Sequence, residues 1–161
     1  MAEQTSKLQN KLKELDQRIQ KYYNVIGFNA DKNNTNIEEY FSYSRTELES
    51  LTPNQIAIII AEISLNKIFL QKSINKTYAF LNWLKSELER YIGSVTENYS
   101  GYWQEKRLII INSDSYCNKL YKYIMEFQVR HDSMYDIAKS YDNLCSSLNG
   151  IKYIKSERSK S

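Results

Sequence analysis

The stretch that decides the fold begins at residue 52 and reads TPNQIAIIIAEISLNKIFLQ (residues 52–71). Its first four residues predict a helix start, because the Thr52 hydroxyl can accept from free backbone N–H groups, Pro53 suits the first helical position and Gln55 completes a capping box. Apolar residues then recur at helical spacing as far as residue 92. A helix of that length spans about 60 Å at ~1.5 Å per residue. The sequence therefore predicts one long helix over residues 52–92.

The apolar face of this helix is wider than a coiled-coil seam. The seam consists of Ile56, Ile60, Ile63, Leu70, Ile74, Leu81, Leu84, Leu88 and Tyr91, with Lys67 and Thr77 at the two remaining positions. Further apolar residues widen it, namely Ile59, Ile68, Phe69, Phe80 and Trp83. A face wider than two residues in seven indicates contact with more than one neighbouring helix. We therefore expect a homo-oligomer whose other subunits cover part of this helix.

A second long helix is predicted over residues 113–148, where apolar residues alternate at spacings of three and four. The seam positions are Cys117, Leu120, Ile124, Phe127, His131, Met134, Ala138, Tyr141, Cys145 and Leu148. Six of them are predicted to hold the oligomer together, namely Leu120, Ile124, Phe127, Met134, Tyr141 and Leu148. His131 either fixes the register of this seam or reaches its edge.

The rest of the chain divides into shorter segments. Residues 1–27 hold apolar residues at coiled-coil spacing (Leu8, Leu12, Leu15, Ile19, Tyr22 and Ile26), which predicts a separate N-terminal amphipathic helix that Gly27 ends. Residues 28–51 are an Asn-rich linker with one helical turn around residues 38–43. Residues 93–101 are a loop or a kinked helix. Residues 103–111 resume an apolar pattern, in which residues 109–111 are part of a helix or a short strand, and helix is favoured because no second strand is visible. Asn112, Ser113 and Asp114 then indicate a helix stop and a new N-cap.

These segments predict an all-α protein. Residues 52–161 form a long antiparallel helical hairpin with coiled-coil character and a basic C-terminal tail. The chain has four glycines and one proline, which suits long helices and disfavours a fold with many turns.

Several function classes are disfavoured by the residues that the chain contains. His131 is the single histidine, no Gly-rich phosphate loop is present, and Cys117, Cys145 and His131 do not form a metal-ligand spacing. We therefore predict no enzyme activity, no metal and no cofactor. No apolar run reaches the ~20 residues of a membrane span, and no signal-peptide pattern is evident. Free thiols fit a cytoplasmic location, which is the host cytoplasm if the protein is viral.

Basic and aromatic residues gather where the first long helix ends. Single-stranded DNA is bound by stacking of bases on aromatic rings and by neutralisation of phosphates. The predicted DNA-binding residues are Lys85, Arg90, Tyr99, Trp103, Lys106 and Arg107. The alternative is that these are helix-packing aromatics with ordinary surface cations. The net charge of +3 arises from residues 150–161, whose four basic residues outnumber Glu157; this tail contacts phosphates or is a solvated helix end.

At this point the chain resembles a known family. Residues 85–93 read KSELERYIG, which is similar to the Lys-x-x-Leu-x-x-Tyr-x-Gly stretch of the T4-type phage recombination mediators (UvsY-like). The resemblance covers about residues 52–158 and includes the order of helices and the basic C-terminus. Lys85 carries over directly. This chain departs from the family at Glu87, where the family has a basic residue, and Arg90 lies one helical turn away. Residues 1–51 have no counterpart.

The resemblance implies a non-enzymatic protein that binds single-stranded DNA coated with a single-strand-binding protein. It also implies that the chain helps to load a RecA-type recombinase, and that it forms a ring-like homo-oligomer through C-terminal helices. A second class fits the same helices: a structural or adaptor protein, such as a virion or scaffold component, that does not bind nucleic acid. The acidic linker and the near-neutral charge of residues 1–149 favour this second class.

Overall fold

The computed structural model describes residues 2–25 and 37–158, with side chains from residue 6 onward. All regular elements in these two ranges are helical: α1 (Ala2–Val25), α2 (Ile37–Ser42), α3 (Arg45–Ser50), α4 (Pro53–Val95), a 3₁₀ turn (Thr96–Asn98), α5 (Trp103–Ser113) and α6 (Ser115–Arg158). The two long helices α4 and α6 pack antiparallel. The predicted all-α helical hairpin is therefore confirmed, and so is the helical rather than strand conformation of residues 103–111.

The chain divides into two compact units. Unit 1 comprises residues 1–29 and 74–132, and unit 2 comprises residues 30–73 and 133–161. Each long helix therefore contributes one segment to each unit. This division differs from the segments predicted from the sequence, which separated the N-terminal helix and the linker from the hairpin.

Unit 1 has a continuous apolar core built from four helices. Leu8 of α1 is 1% exposed, and it joins buried residues of α4, α5 and α6: Leu81, Leu84, Leu88, Ile92, Ile110, Ile111, Cys117, Leu120 and Ile124. The predicted N-terminal helix thus packs into this core. Tyr23 is buried and Tyr22 is 61% exposed, whereas the sequence pattern placed Tyr22 in the seam. A straight α-helix has 3.6 residues per turn, so its buried face drifts away from a strict seven-residue repeat.

Unit 2 has a smaller core, which includes two short helices. Ile37 of α2 is buried together with Ile56, Ile59 and Ile63 of α4 and Leu148 of α6. The helical turn expected around residues 38–43 is confirmed as α2, and α3 follows it with a Ser44–Glu47 capping box. Part of the predicted linker is therefore helical. Residues 28–36, like Ile26 and Gly27, lie outside the described ranges. α3 is followed by the start of α4.

The helix ends follow the predicted capping chemistry at two places. The Thr52 hydroxyl accepts from the Gln55 N–H at 3.3 Å, and the Gln55 side chain accepts from the Thr52 N–H at 2.8 Å. Asp114 Oδ1 accepts from the Tyr116 and Cys117 N–H groups at 2.8 and 2.9 Å. Both caps satisfy backbone donors that would otherwise lack partners.

Two expected helix ends lie further along the chain than predicted. α4 continues through Gly93 to Val95, and α6 continues past residue 148 to Arg158. A glycine inside a helix costs about 1 kcal/mol, which the complete burial of the adjacent Ile92 outweighs. The chain then turns at Gly101, whose φ of 109° lies in the region that favours glycine.

Candidate nucleic-acid interface

The six predicted DNA-binding residues all lie in unit 1. Lys85 and Arg90 are exposed on α4, and Lys106 and Arg107 are half-buried on α5. Tyr99 follows the 3₁₀ turn and Trp103 is the first residue of α5. The six residues therefore share one unit, with Lys85 ten residues before the end of α4, and their side chains have different surroundings.

Both arginines are held by carboxylates of α4. Arg90 donates to Glu87 from Nε at 3.1 Å and from Nη2 at 2.6 Å. Arg107 donates to Glu89 Oε1 from Nε at 3.0 Å and from Nη2 at 2.7 Å. Each guanidinium charge is thus largely neutralised within unit 1, which reduces what it can contribute to phosphate binding.

The charges of the two lysines are compensated less by neighbouring groups than those of the two arginines. Lys85 Nζ donates to Gln128 Oε1 at 3.2 Å, and that acceptor is neutral. The Lys85 charge also helps to lower the pKa of Asp132, although the hydrogen bond from His131 is the larger cause. Lys106 forms no side-chain ion pair with the part of the chain that the structure describes. Lys85 and Lys106 are therefore the cations of this region best able to attract an anion.

The aromatic residues of the region separate into a buried and an exposed group. Tyr99 is half-buried and packs against the core of unit 1, so its ring already has apolar neighbours. Trp103 is 49% exposed, and the adjacent Tyr102 is 83% exposed. Tyr102 was not among the predicted site residues, and its exposure makes it a better stacking surface than Tyr99. Gly101 precedes it, and a Cβ at that position would lie 2.8 Å from the Glu105 carboxylate.

Glu87 is the feature that the sequence did not reveal. It is 8% exposed, although it lies only two residues before the exposed Glu89. Besides Arg90, it accepts from the Tyr116 hydroxyl at 3.2 Å, and Lys11 Nζ lies 3.9 Å from it. The hydrogen bond from Arg90 is the largest cause of its lowered pKa, with a smaller contribution from the Lys11 charge. Glu87 is therefore ionised and held between three helices.

The tyrosines near Glu87 form a pair. The rings of Tyr91 and Tyr116 have centroids 4.8 Å apart, tilted by 60°. Burial, followed by the charge of Glu87, raises the pKa of Tyr116 to about 12. Burial also raises the pKa of Tyr91, and its hydroxyl donates to Asp114 Oδ2 at 3.3 Å. Both phenols are therefore neutral hydrogen-bond donors at physiological pH.

A groove of about 450 Å³ lies between α1 and these residues. Its lining consists of Lys7, Leu8, Asn10, Lys11, Glu14, Glu87, Arg90, Tyr91 and Tyr116. That volume falls in the range of about 300–1,000 Å³ that is usual for small-molecule sites. No pattern in the sequence indicated that residues 7–14 lie close to residues 87–91, because the packing of α1 brings them together.

The residues predicted to form the oligomer have mixed exposure. Leu120, Ile124 and Leu148 are buried in the cores of their own units, and Phe127, Met134 and Tyr141 are half-buried. In unit 1, Phe127 packs against the core and its ring lies 5.5 Å from that of Phe80. Other apolar residues of α6 face solvent at helical spacing, namely Tyr121, Met125 and Val129, which are 40%, 48% and 63% exposed. The seam residues of α6 thus pack within the single chain, whereas its outer face leaves apolar side chains exposed to solvent.

The remaining reactive side chains are placed as packing residues. His131 is half-buried, as expected for a residue at the edge of the seam, with its Nδ1 3.0 Å from Asp132 Oδ1 and its ring 5.8 Å from that of Tyr78. Burial raises the pKa of Cys117 to about 11, and burial also raises the pKa of Cys145. Neither thiol is therefore activated as a nucleophile.

Comparisons with protein-family models, with curated proteins and with solved structures give no match to this chain. Over residues 2–25 and 37–158, none of the helices combines the length and the apolar character needed to cross a membrane.

Proposed function

We propose that this chain is a non-enzymatic protein that binds single-stranded DNA and acts as a recombination mediator. In this proposal unit 1 binds the strand where α4 ends and α5 begins. The homo-oligomer repeats the site, and the bound protein helps to load a RecA-type recombinase onto DNA coated with a single-strand-binding protein. The recombinase and the single-strand-binding protein enter the proposal through the family resemblance alone.

The observation that carries the proposal is the pair of exposed rings beside free lysine charge. Tyr102 and Trp103 are 83% and 49% exposed at the start of α5, and Lys106 lies on the same helix without an ion pair to the described residues. Stacking on an aromatic ring contributes about 1–3 kcal/mol per base and tolerates any sequence. Lys85 adds a second charge whose hydrogen-bond partner is neutral.

The proposal is tested by binding of a labelled single-stranded oligonucleotide at two salt concentrations. Replacing both Lys85 and Lys106 by Glu should weaken binding and flatten the log–log salt slope by about 0.7 for each phosphate contact that is lost. The matched control replaces Lys13 and Lys139 by Glu, which changes the net charge equally at two exposed positions away from the site. Equal effects of the two double variants would place the binding elsewhere, and no binding by the parent at ~50 mM salt would reject the proposal.

The structural or adaptor function is the second candidate, and the outer face of α6 favours it. Tyr121, Met125 and Val129 follow one another at four-residue spacing and face solvent, which is how a helix presents an apolar stripe to another protein. The pairing of Arg107 with Glu89 also removes charge that DNA binding would use. A parent protein that forms a stable oligomer in light scattering but leaves the oligonucleotide unbound would support this function instead.

A further inference from the structure

Some N–H donors that border the groove between α1 and α4 are not used by the ion pairs within unit 1. Arg90 contacts Glu87 through Nε and Nη2, so its Nη1 N–H groups have no hydrogen-bond partner among the described residues. Lys11 Nζ lies 3.9 Å from Glu87 Oε1, which is too far for a hydrogen bond. The side chains of Lys11 and Arg90 are 52% and 67% exposed. Both cations therefore border the groove with donors available.

Glu87 fixes the positions of these two cations. Because the Glu87 carboxylate is buried and ionised, loss of Arg90 would leave this charge with weaker compensation, which favours the paired orientation of the guanidinium. The same carboxylate attracts Lys11 across from α1. A buried anion thus holds one cation from each of two helices at the edge of one groove.

The donors and the carboxylates of the groove indicate which anion would fit. Lys11 and Arg90 supply N–H donors, and the carboxylates of Glu14 and Glu87 also belong to the lining. These two negative charges repel a dianion more strongly than a singly charged group. A phosphodiester carries one negative charge, and its oxygens accept from both guanidinium and ammonium donors. The Tyr91 and Tyr116 rings in the lining provide an apolar wall for the neighbouring sugar or base.

We propose that this groove takes one phosphodiester of a bound single strand, held between Lys11 of α1 and Arg90 of α4. The N-terminal helix then contributes directly to the binding surface, and Glu87 acts as a positioning residue. This inference rests on the proposed function, since it assigns a further contact to the same ligand. It extends the site from the start of α5 to α1.

The test compares Lys11→Gln with Lys13→Gln in the full chain. Both residues are exposed lysines of α1, but Lys13 is not part of the groove lining. Loss of one phosphate contact should weaken binding of the labelled oligonucleotide about fivefold to tenfold at ~50 mM salt and lower the salt slope by ~0.7. Lys13→Gln should change the affinity by less than about twofold. Lys11→Arg, which keeps the charge, should bind nearly as the parent does.

The outcomes separate the groove from the function. If Lys11→Gln and Lys13→Gln bind equally while the Lys85 and Lys106 double variant is weakened, the groove proposal is wrong and the proposed function stands. If the parent does not bind the oligonucleotide, both are overturned. If Lys11→Gln binds more weakly but has the thermal unfolding curve and circular dichroism spectrum of the parent, loss of α1 is excluded as the cause. If Lys11→Gln loses helix and Lys11→Arg shows the same loss of affinity, the direct contact is rejected.

Discussion

Unit 1 and unit 2 use their charged side chains differently. In unit 2, Lys67 pairs with Asp142 at 2.5 Å, the Tyr40 hydroxyl donates to Glu62, and Lys155 donates to the backbone carbonyls of Glu49 and Leu51. Each of these contacts joins segments that are distant in the sequence. The basic C-terminal tail is thus partly used to hold the end of α3, which removes Lys155 from the cations available for phosphates.

In unit 1 charged side chains surround a groove and an exposed aromatic pair. Glu87 and Glu89 neutralise the two arginines, and Lys11, Lys85 and Lys106 border open surface. Exposure alone therefore does not identify a binding cation. The partner of each side chain decides whether its charge stabilises the fold or is available to a ligand.

The largest effect is expected from the core of unit 1. Leu84→Ala should lower the free energy of unfolding by about 2–5 kcal/mol, because Leu84 is completely buried and its truncation leaves a cavity. The matched control is Leu65→Ala, at a position of α4 in unit 2 that is 46% exposed, where a change within ~0.5 kcal/mol is expected. Denaturant unfolding measures both. Hydrogen exchange would then sharpen the comparison: equal loss of protection in both units would show that they unfold as one.

A smaller effect is expected from the buried carboxylate. Glu87→Gln should cost about 1–3 kcal/mol near neutral pH, because it weakens hydrogen bonds to a charged partner in a buried site. Contacts with Arg90 lower the pKa of Glu87 in the folded state, so its stabilisation is present above the unfolded pKa and is lost as the pH falls through the folded pKa. The difference between parent and variant should therefore shrink on acidification from pH ~6 to ~3.

The control for that measurement is Glu89→Gln. Glu89 is exposed and pairs with Arg107 at the surface, so its replacement should change stability by at most about 1 kcal/mol. A Glu87 variant no more destabilised than the Glu89 variant, or a difference that does not vary with pH, would contradict the assignment of Glu87 as a buried charged residue.

The smallest effect is expected at the helix start in unit 2. Thr52→Ala should cost about 1 kcal/mol, because the hydroxyl that accepts from the Gln55 N–H is lost. Thr52→Ser retains the hydroxyl and should stay within a few tenths of a kcal/mol of the parent. Thermal unfolding of the three proteins measures this. Equal stability of Thr52→Ala and the parent would show that the capping contact contributes nothing.

The helices could be predicted from the sequence because their signals are local. The start of α4 follows from residues 52–55 and the start of α6 from residues 112–114, of which Asp114 is the cap, since capping involves neighbours within three positions. The seam of α6 also followed from spacing: Cys117, Leu120 and Leu148 are completely buried. The extension of α4 past Gly93 was not predictable from local preference, because packing of Ile92 against α5 and α6 overrides it.

The candidate site was less accessible to sequence reasoning because its contacts are long-range. The six predicted residues lie in one unit, but nothing in the sequence showed that Glu87 would hold Arg90 or that Glu89 would hold Arg107 from another helix. The contribution of Lys11 depends on the docking of α1, which Leu8 secures across more than seventy residues of sequence. Patterns of spacing report which face of a helix is buried and leave open what it is buried against.

The bonding of Glu87 has a consequence for how this sequence can change over evolution. Loss of Arg90 alone would leave a buried carboxylate with weaker compensation, and loss of Glu87 alone would leave the Tyr116 hydroxyl and the guanidinium without their acceptor. A basic residue at position 87 would set two cations side by side. Substitutions at positions 87 and 90 should therefore be epistatic, with each tolerated chiefly in the background of the other.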